Sequence, residues 1–597
     1  MYPPISSSKR SHADEEIFKM KLFRPSRLTL AAVLLAAIAG AGSLGAADDA
    51  NLPAIRPDSG TAAAPSSNVE LDRLRALLAS QQKQLEALQK VLDQQQKLLE
   101  QAAEPVSPQQ SLRPGLGTVA SIAPVIPVPT PVVAALPVIS PAAKTSATGR
   151  NNPCEAAPDM NSVPPYLRFG STCIIPIGFM DLTGVWRDKN TGTGIASSYA
   201  GVPYNNVTAG KLSEFRFSPQ NSRLGFRADG DWKGTHFIGY NEIDFLGTSG
   251  TNNLGVTNGA FVPRIRLFWA EVRKGKWEFL GGQSWSLLTP NRRGLSPLPG
   301  DLFYSMVADA NYMAGLTWSR QPGARVVYHA SKTVTAGLSL ENPNQYMGGS
   351  AGLSATAVTL PAATALSTLG GTQVDNATNV MNTPNLVPDI IAKIAFDPGT
   401  RFHFEAGGLA RTFRIWDSAT NTYSTKEGAG VLVGANVEVA RNFRLITTNF
   451  WSDGGGRYLF GQAPDFIVRA NGSVSPIHAG GTVDGFEAAF DKWLLYAYYG
   501  ALYIERNTAL DANGTTNIGY GYVNSSNSDN KAIQELTFGY NHTVWKDPRY
   551  GAINLLGQYE WLTRDPWAVL PGAPKAAHDS AVFMGFRYTL PGTMPNF

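Results

Sequence analysis

The sequence has few charged residues, almost no cysteine and no long uninterrupted apolar run after its first 47 residues. Only 16% of its 597 residues are charged, and the net charge of +4 comes from well-mixed signs, so the total does not indicate a nucleic-acid partner. No later run reaches the roughly 18 apolar residues that a membrane helix needs. By contrast, 10% of the residues are aromatic and 59 are Gly, which favours a β-rich chain with many turns.

Residues 1–47 are interpreted as a secretory signal peptide. Basic side chains between Lys21 and Arg27 precede an apolar core over 28–38, and small residues follow it. Met20 is an alternative start, because the residues before it contribute nothing to such a signal. The mature chain is therefore expected to be exported and to lack a membrane helix.

The two cysteines, Cys154 and Cys173, are expected to form a disulfide bond in an exported protein. In the chain-entropy description, a closed loop of about 20 residues would stabilise the fold by about 3 kcal/mol. Two free thiols, or thiols that pair between chains, are the alternative.

Residues 67–103 show the heptad pattern of a coiled coil. Seam residues recur in steps of three and four over four heptads, and Ser67 with Glu70 forms a capping-box start. Polar layers in the seam can fix register, but they do not decide between two and three strands. An amphipathic helix packed on its own domain is the alternative. The seam consists of Leu71, Leu74, Leu78, Gln81, Leu85, Leu88, Leu92, Gln95 and Leu99.

Low-complexity sequence flanks this helical segment on both sides. Residues 48–66 are expected to be disordered, and the Pro-rich stretch 104–153 is expected to form a semi-extended linker without a packed core. Residues 67–103 are therefore predicted to be an oligomerisation rod, tethered to a domain that spans 154–597.

Strand-length segments with alternating apolar and polar residues fill this last domain. The segment RIRLFWAEVR, for example, places Ile265, Leu267 and Trp269 on one face. Arg264 and Arg266 then occupy the other face. We count sixteen strands, with connections that alternate between short turns and long loops. This pattern predicts an all-β transmembrane barrel of about 16 antiparallel strands. The predicted long loops include 288–321, 343–386, 415–426, 453–482, 506–530 and 563–578.

Two stretches within 213–342 resemble the early strands of Gram-negative trimeric porins. They are NSRLGFRADGDWKGTHFIGYNEIDFLG and RIRLFWAEVRKGKWEFLGGQSWS. Together with the signal, rod and linker, they make the chain most similar to the DcaP-like porin family, and the phosphate-selective porins are a second relative. The resemblance implies a sixteen-stranded homotrimer in outer-membrane lipid, with a periplasmic coiled coil and with dicarboxylates and related small anions as solutes.

The polar faces of the strands are predicted to line a water-filled pore, in which charges tune selectivity. The connection 288–321 occupies the place where porins fold a loop into the lumen. Guanidinium groups bind carboxylate or phosphate in a bidentate way, so we expect a modest preference for anions. The alternative is that these arginines pair with inward carboxylates as a scaffold. The predicted pore-lining residues are Arg216, Arg223, Arg227, Arg264, Arg266, Arg292, Arg293, Asp301, Asp309, Arg320, Arg325, Lys393, Arg401 and Arg444.

These features predict an outer-membrane porin for passive diffusion of small hydrophilic anions of the carboxylate or phosphate type. The rod is a candidate contact for peptidoglycan or a periplasmic partner. One alternative is a barrel that only anchors an envelope tether, and a second is a barrel enzyme, for which no convincing Ser–His pair is present. No catalytic, cofactor, metal or nucleic-acid motif is found, and none of the seven histidines forms a metal-spaced pair.

Overall fold

A computed structural model describes residues 166–247, 261–349, 372–375, 386–417, 421–525 and 527–593. The predicted signal peptide, rod and linker, and also Cys154, lie outside these ranges. Within them, no helix is both long and apolar enough to cross a membrane. The helices are short 3₁₀ turns at Tyr199–Gly201, Thr208–Lys211, Pro299–Asp301, Gly456–Tyr458 and Pro591–Thr593.

Sixteen antiparallel strands form the wall of a barrel. They are β1 (Thr172–Arg187), β2 (Glu214–Ser218, continued by Arg223–Trp232), β3 (Thr235–Gly247), β4 (Val262–Lys274), β5 (Trp277–Trp285), β6 (Arg320–His329), β7 (Val334–Glu341), β8 (Asp389–Phe396), β9 (Phe402–Asp417), β10 (Thr422–Ala440), β11 (Phe443–Asp453), β12 (His478–Phe490), β13 (Trp493–Ile504), β14 (Asn530–Asp547), β15 (Gly551–Pro566) and β16 (Ala577–Thr589).

The sheet closes on itself, because β1 pairs with β16 from Phe179↔Thr589 to Arg187↔Ala581. Closure leaves no strand edge, which is the condition for a sheet that crosses a membrane. β1 pairs with both parts of β2, so the break at 219–222 is a kink within one strand. The predicted sixteen-stranded antiparallel barrel is therefore confirmed.

Several smaller strands are not counted among the sixteen of the wall. Leu167–Phe169 folds back onto β1. Tyr346–Met347, Thr372–Gln373, Phe466–Val468 and Val474–Pro476 form a four-stranded sheet, and Asn507–Leu510 pairs with Asn517–Tyr520.

Alternation along the strands separates an apolar outer surface from the inner face. In β10, Val431 and Val433 are exposed on the outside, whereas Leu432 and Asn436 are buried on the inside. Large apolar and aromatic side chains remain exposed all around the barrel, as expected for a wall in contact with lipid. They include Trp277, Trp451, Trp493, Trp545 and Trp561.

Two expectations from the sequence are wrong in detail. The predicted long loop 415–426 is a short connection, because β9 and β10 stay paired as far as Asp417↔Thr422. In β4 a register shift breaks the alternation, since Ile265 pairs with Ile243 and Leu267 with the adjacent Glu242. Arg266 lies between these pairs as the extra residue of a β-bulge, so Leu267 and Trp269 are buried on the inside while Ile265 is exposed outside.

Three loops fold into the space inside the barrel. We call residues 188–213 loop 1, residues 286–319 loop 3 and residues 454–477 loop 6. Buried residues of all three loops pack together and against the inner face of the wall. The route through the barrel is therefore set by the arrangement of these loops.

Candidate pore constriction

The first part of loop 3 follows the inner wall along β7 and β8. The Leu287 backbone N–H donates to the Glu341 carboxylate at 2.9 Å. Lys393 on β8 donates from its ammonium to the Thr289 carbonyl at 2.8 Å and forms an ion pair with Glu405 at 2.7 Å. These bonds satisfy backbone groups that would otherwise be buried without partners.

The second part of loop 3 reaches β13, β14 and β15. The Ala308 N–H donates to the Gln558 side chain at 3.0 Å, and the Ala314 N–H donates to the Glu535 carboxylate at 2.6 Å. Gly500 on β13 lacks the side chain that would overlap the Ala314 carbonyl. Loop 3 therefore spans the lumen from β5 to β15.

Asp309 lies within this second part and is fully buried. Its carboxyl accepts bonds from the Tyr199 hydroxyl at 3.2 Å and the Ser197 N–H at 3.3 Å, both in loop 1. Burial raises the pKa of Asp309, while bonds from backbone N–H groups act in the opposite direction. Asp309 thus joins loops 1 and 3 and is not exposed to the pore.

Four arginines on β2, β4 and β6 face the other side of loop 3. Arg223, Asp244 and Arg264 lie in one cross-strand row, and Arg264 binds Asp244 through two bonds of 2.7 and 3.0 Å. Arg266 donates to Glu242 at 2.7 Å and to Asp244 at 2.8 Å. Ordinary alternation places Arg264 and Arg266 on the same inner face, and the bulge adds Leu267 to it.

Arg320 at the start of β6 completes this group. Its guanidinium lies over the Trp285 ring, 5.7 Å from the centroid, and within the described residues no carboxylate forms an ion pair with it. Arg223 donates to the Tyr312 hydroxyl of loop 3 at 3.3 Å. We call Arg223, Arg264, Arg266 and Arg320, with Glu242 and Asp244, the arginine cluster; four positive and two negative groups give a net charge of +2 (4 − 2).

Three of these guanidinium groups each have one N–H donor without an acceptor among the described residues. Arg223 Nε, Arg266 Nη2 and Arg320 Nη1 are buried nitrogens without an acceptor in the described part of the chain. A buried donor without a partner is costly, so such groups call for an oxygen from water or from a bound anion. The cluster is chemically suited to carboxylate or phosphate.

Most of the other predicted pore residues are held by carboxylates or carbonyls. Arg292 of loop 3 binds Glu487 at 2.8 and 3.0 Å, and Arg227 binds Asp229 at 2.6 and 2.7 Å. Arg216 pairs with Glu214 at 2.6 Å but stays half exposed. Arg325 donates to the Leu295 carbonyl, and Arg444 bonds to Asn436 and lies 3.6 Å from Glu438.

The remaining predicted residues lie apart from the cluster. Arg293 is exposed on loop 3, and Asp301 lies partly buried nearby. Arg401 is exposed in the short turn between β8 and β9, outside the strand wall. Cys173 is buried and disulfide-bonded, but its predicted partner lies outside the described residues, so that pairing stays a prediction.

A second buried ionic group, which the sequence analysis missed, lies where loop 6 meets β7–β9. Arg411 and Arg457 are paired with Asp389 and Asp465 at 2.9 to 3.5 Å. Arg411 and Asp389 follow the inward alternation of their strands and could have been found by it. Arg457 and Asp465 lie in a loop without periodicity, so no sequence signal indicated them. Among the described residues no group of three or more His, Cys, Asp or Glu could hold a metal ion.

No protein-family model and no curated protein matches the sequence. The structure is similar to that of the outer membrane channel DcaP of Acinetobacter baumannii, with 17% identity, coverage of 72% of this chain and 100% of that chain, and a TM-score of 0.51. An anion-selective porin from Comamonas acidovorans (15% identity, 70% and 99% coverage, TM-score 0.39) and OmpT of Vibrio cholerae (11%, 71% and 99%, 0.37) also match. The similarity to DcaP shows that the chain has the fold of an outer-membrane channel and confirms the expected resemblance at the level of the fold.

Proposed function

We propose that the protein is an outer-membrane porin through which small hydrophilic anions diffuse passively. The observation that carries this proposal is the arginine cluster, which faces loop 3 inside a closed barrel with the fold of an outer-membrane channel. Its net positive charge would concentrate anions at the point where loop 3 narrows the lumen.

The chemistry of the cluster favours carboxylates and phosphates among anions. Arg320 is not neutralised by an ion pair within the described residues, and three guanidinium groups retain a free donor. The carboxylates at Glu242 and Asp244 limit the field, so the preference for anions is expected to be modest. Passage remains possible because a site with mixed signs binds ions weakly enough to release them.

The remaining features of the proposal concern the membrane and the assembly. The exposed apolar outer surface fits outer-membrane lipid. The barrel end that carries the long loops would lie at the cell exterior, and the short turns would lie in the periplasm, where residues 67–103 would form a coiled coil. We propose a homotrimer, with the rod holding the protomers in register and reaching toward peptidoglycan or a periplasmic partner.

Reconstitution of the purified protein in a planar bilayer tests the proposal. We expect single-channel current steps. Under a KCl gradient, we expect a reversal potential whose sign corresponds to a higher permeability for chloride than for potassium. Addition of a dicarboxylate or phosphate should block part of the chloride current. A cation-selective reversal potential would contradict the anionic part of the proposal.

One observation favours a second candidate function. Loops 1, 3 and 6 place clusters of buried side chains inside the barrel, as expected of a barrel that only anchors an envelope tether. A folded barrel that shifts on SDS gels upon heating but carries no current would support this anchor and refute the porin.

A further inference from the structure

Loop 6 folds into the barrel instead of extending from it. It contains the 3₁₀ turn Gly456–Tyr458 and the short strands Phe466–Val468 and Val474–Pro476. The side chains of Tyr458 and Leu459 are almost completely buried. Leu459 and Gly315 of loop 3 both pack at Gly481 on the inner face of β12, where any side chain would overlap them.

Buried charges hold loop 6 in this position. Arg457 donates to the Asp389 carboxylate on β8 at 2.9 Å and to the Asn342 carbonyl at 2.7 Å. Asp465 accepts from Arg411 on β9 at 2.9 Å and from the Arg457 N–H at 3.0 Å. The two arginines and two aspartates have no net charge together. They attach loop 6 to β8 through Arg457 and to β9 through Asp465.

Tyr458 links this anchor to loop 3. Its hydroxyl donates to Asp389 at 3.0 Å and lies 3.4 Å from Glu341. Glu341 is the same carboxylate that accepts the Leu287 N–H at the start of loop 3. At the end of loop 3, the Trp318 N–H donates to the Tyr458 carbonyl at 3.1 Å. Loop 6 is thus joined to the start of loop 3 through Glu341 and contacts the end of loop 3 directly.

Phe460 forms an aromatic stack between loops 6 and 3. Its ring stacks on Trp318 with centroids 4.1 Å apart and planes 10° apart, and it also meets Tyr199 of loop 1 at 6.4 Å. The Phe460 backbone has φ of 58°, a left-handed conformation that is strained for a bulky residue. Such strain persists only where surrounding contacts impose it, here at the junction of three loops.

We propose that loop 6 is a second constriction loop, and that Phe460 holds loop 3 in the position that sets the width of the passage. This inference rests on the proposed porin function, since it assigns the residues that determine which solute sizes pass. The arginine cluster would then select by charge, and the contact between Phe460 and Trp318 would select by size.

The test uses two loop-6 variants of the full chain and a matched control. Phe460→Gly removes the ring but keeps a residue that adopts positive φ without strain. Tyr458→Phe removes only the hydroxyl that joins Asp389 and Glu341. Val523→Gly shortens a loop side chain that is 74% exposed and serves as the control.

We expect Phe460→Gly to raise single-channel conductance by about twofold, as for a doubled cross-section at the narrowest point, and to admit larger sugars in liposome swelling. Tyr458→Phe should change both quantities in the same direction, and Val523→Gly should change neither. Wild-type values of conductance and size limit in both loop-6 variants would overturn the inference and leave the porin function standing.

A second measurement does not depend on current. Trypsin cleavage after Arg292 or Arg293 reports the exposure of loop 3, and it should be faster in Phe460→Gly than in wild type or Val523→Gly. Equal cleavage rates would overturn the role of Phe460 even if the wild-type barrel carried no current. Absence of current with faster cleavage would instead refute only the porin function.

Discussion

Replacing Arg320 with Gln should weaken anion selectivity more than the same substitution elsewhere. Within the described residues, no carboxylate forms an ion pair with Arg320. An anion that passes about 6 Å away gains about 0.7 kcal/mol at a dielectric constant of about 80, and about 3 kcal/mol at about 20. Even the smaller value corresponds to about a threefold change in local anion concentration.

The assay is the reversal potential in a planar bilayer under a KCl gradient, converted to the ratio of anion to cation permeability. We expect that ratio to fall by at least about threefold in Arg320→Gln, and by more at low ionic strength because screening is weaker. Arg401→Gln is the matched control, since it removes the same charge from an exposed turn away from the cluster.

Two results would refute this reasoning. An unchanged permeability ratio in Arg320→Gln would mean that the passing anions do not sense the cluster. Equal shifts in Arg320→Gln and Arg401→Gln would mean that overall charge, and not the position of Arg320 at loop 3, determines selectivity.

Three further predictions concern stability and assembly. Gly500→Ala should lower the free energy of unfolding by about 1–3 kcal/mol because the new methyl overlaps the Ala314 carbonyl; Gly408→Ala, where there is room, should not, as urea titration can show. Burial raises the pKa of Asp465 to about 6, although Arg411 and Arg457 act in the opposite direction. Between pH 6 and about 4 the folded state therefore binds a proton that the unfolded chain does not, so the free energy of unfolding should increase as the pH falls through this range. This contribution to the pH dependence should be absent in Asp465→Asn. Deleting residues 51–150 should lower the temperature at which the oligomer dissociates on SDS gels, and an equally stable trimer would contradict the role of the rod.

The barrel wall could be predicted because its determinants are local. Each strand must present apolar side chains to lipid at every second position, and connection lengths reveal where strands reverse. Because the prediction used only this regular alternation, it missed the irregularities within the strands. The bulge at Arg266 inverts the facing of Leu267, and nothing in a periodic pattern indicates where one residue is left without a partner.

The candidate site was predicted only in part. Alternation identified Arg223, Arg264 and Arg266 as inward residues, but not which arginines would be neutralised. Arg292 meets its carboxylate on a strand 195 residues later in the chain, whereas Arg320 meets none among the described residues. The unpaired charge, which matters most for an anion, follows from pairing and not from residue type.

The sequence by itself determined that the chain forms a sixteen-stranded barrel with a basic inner face. The reason is that alternate residues of each strand contact lipid and the barrel interior, so apolar and polar side chains alternate along the strand. Only the tertiary structure decided how the lumen is divided. The bond between Ala308 and Gln558 joins residues 250 positions apart, and the stack of Phe460 on Trp318 joins two loops without any periodic pattern. Such contacts depend on the closed wall that brings them together, so they have no counterpart in local sequence.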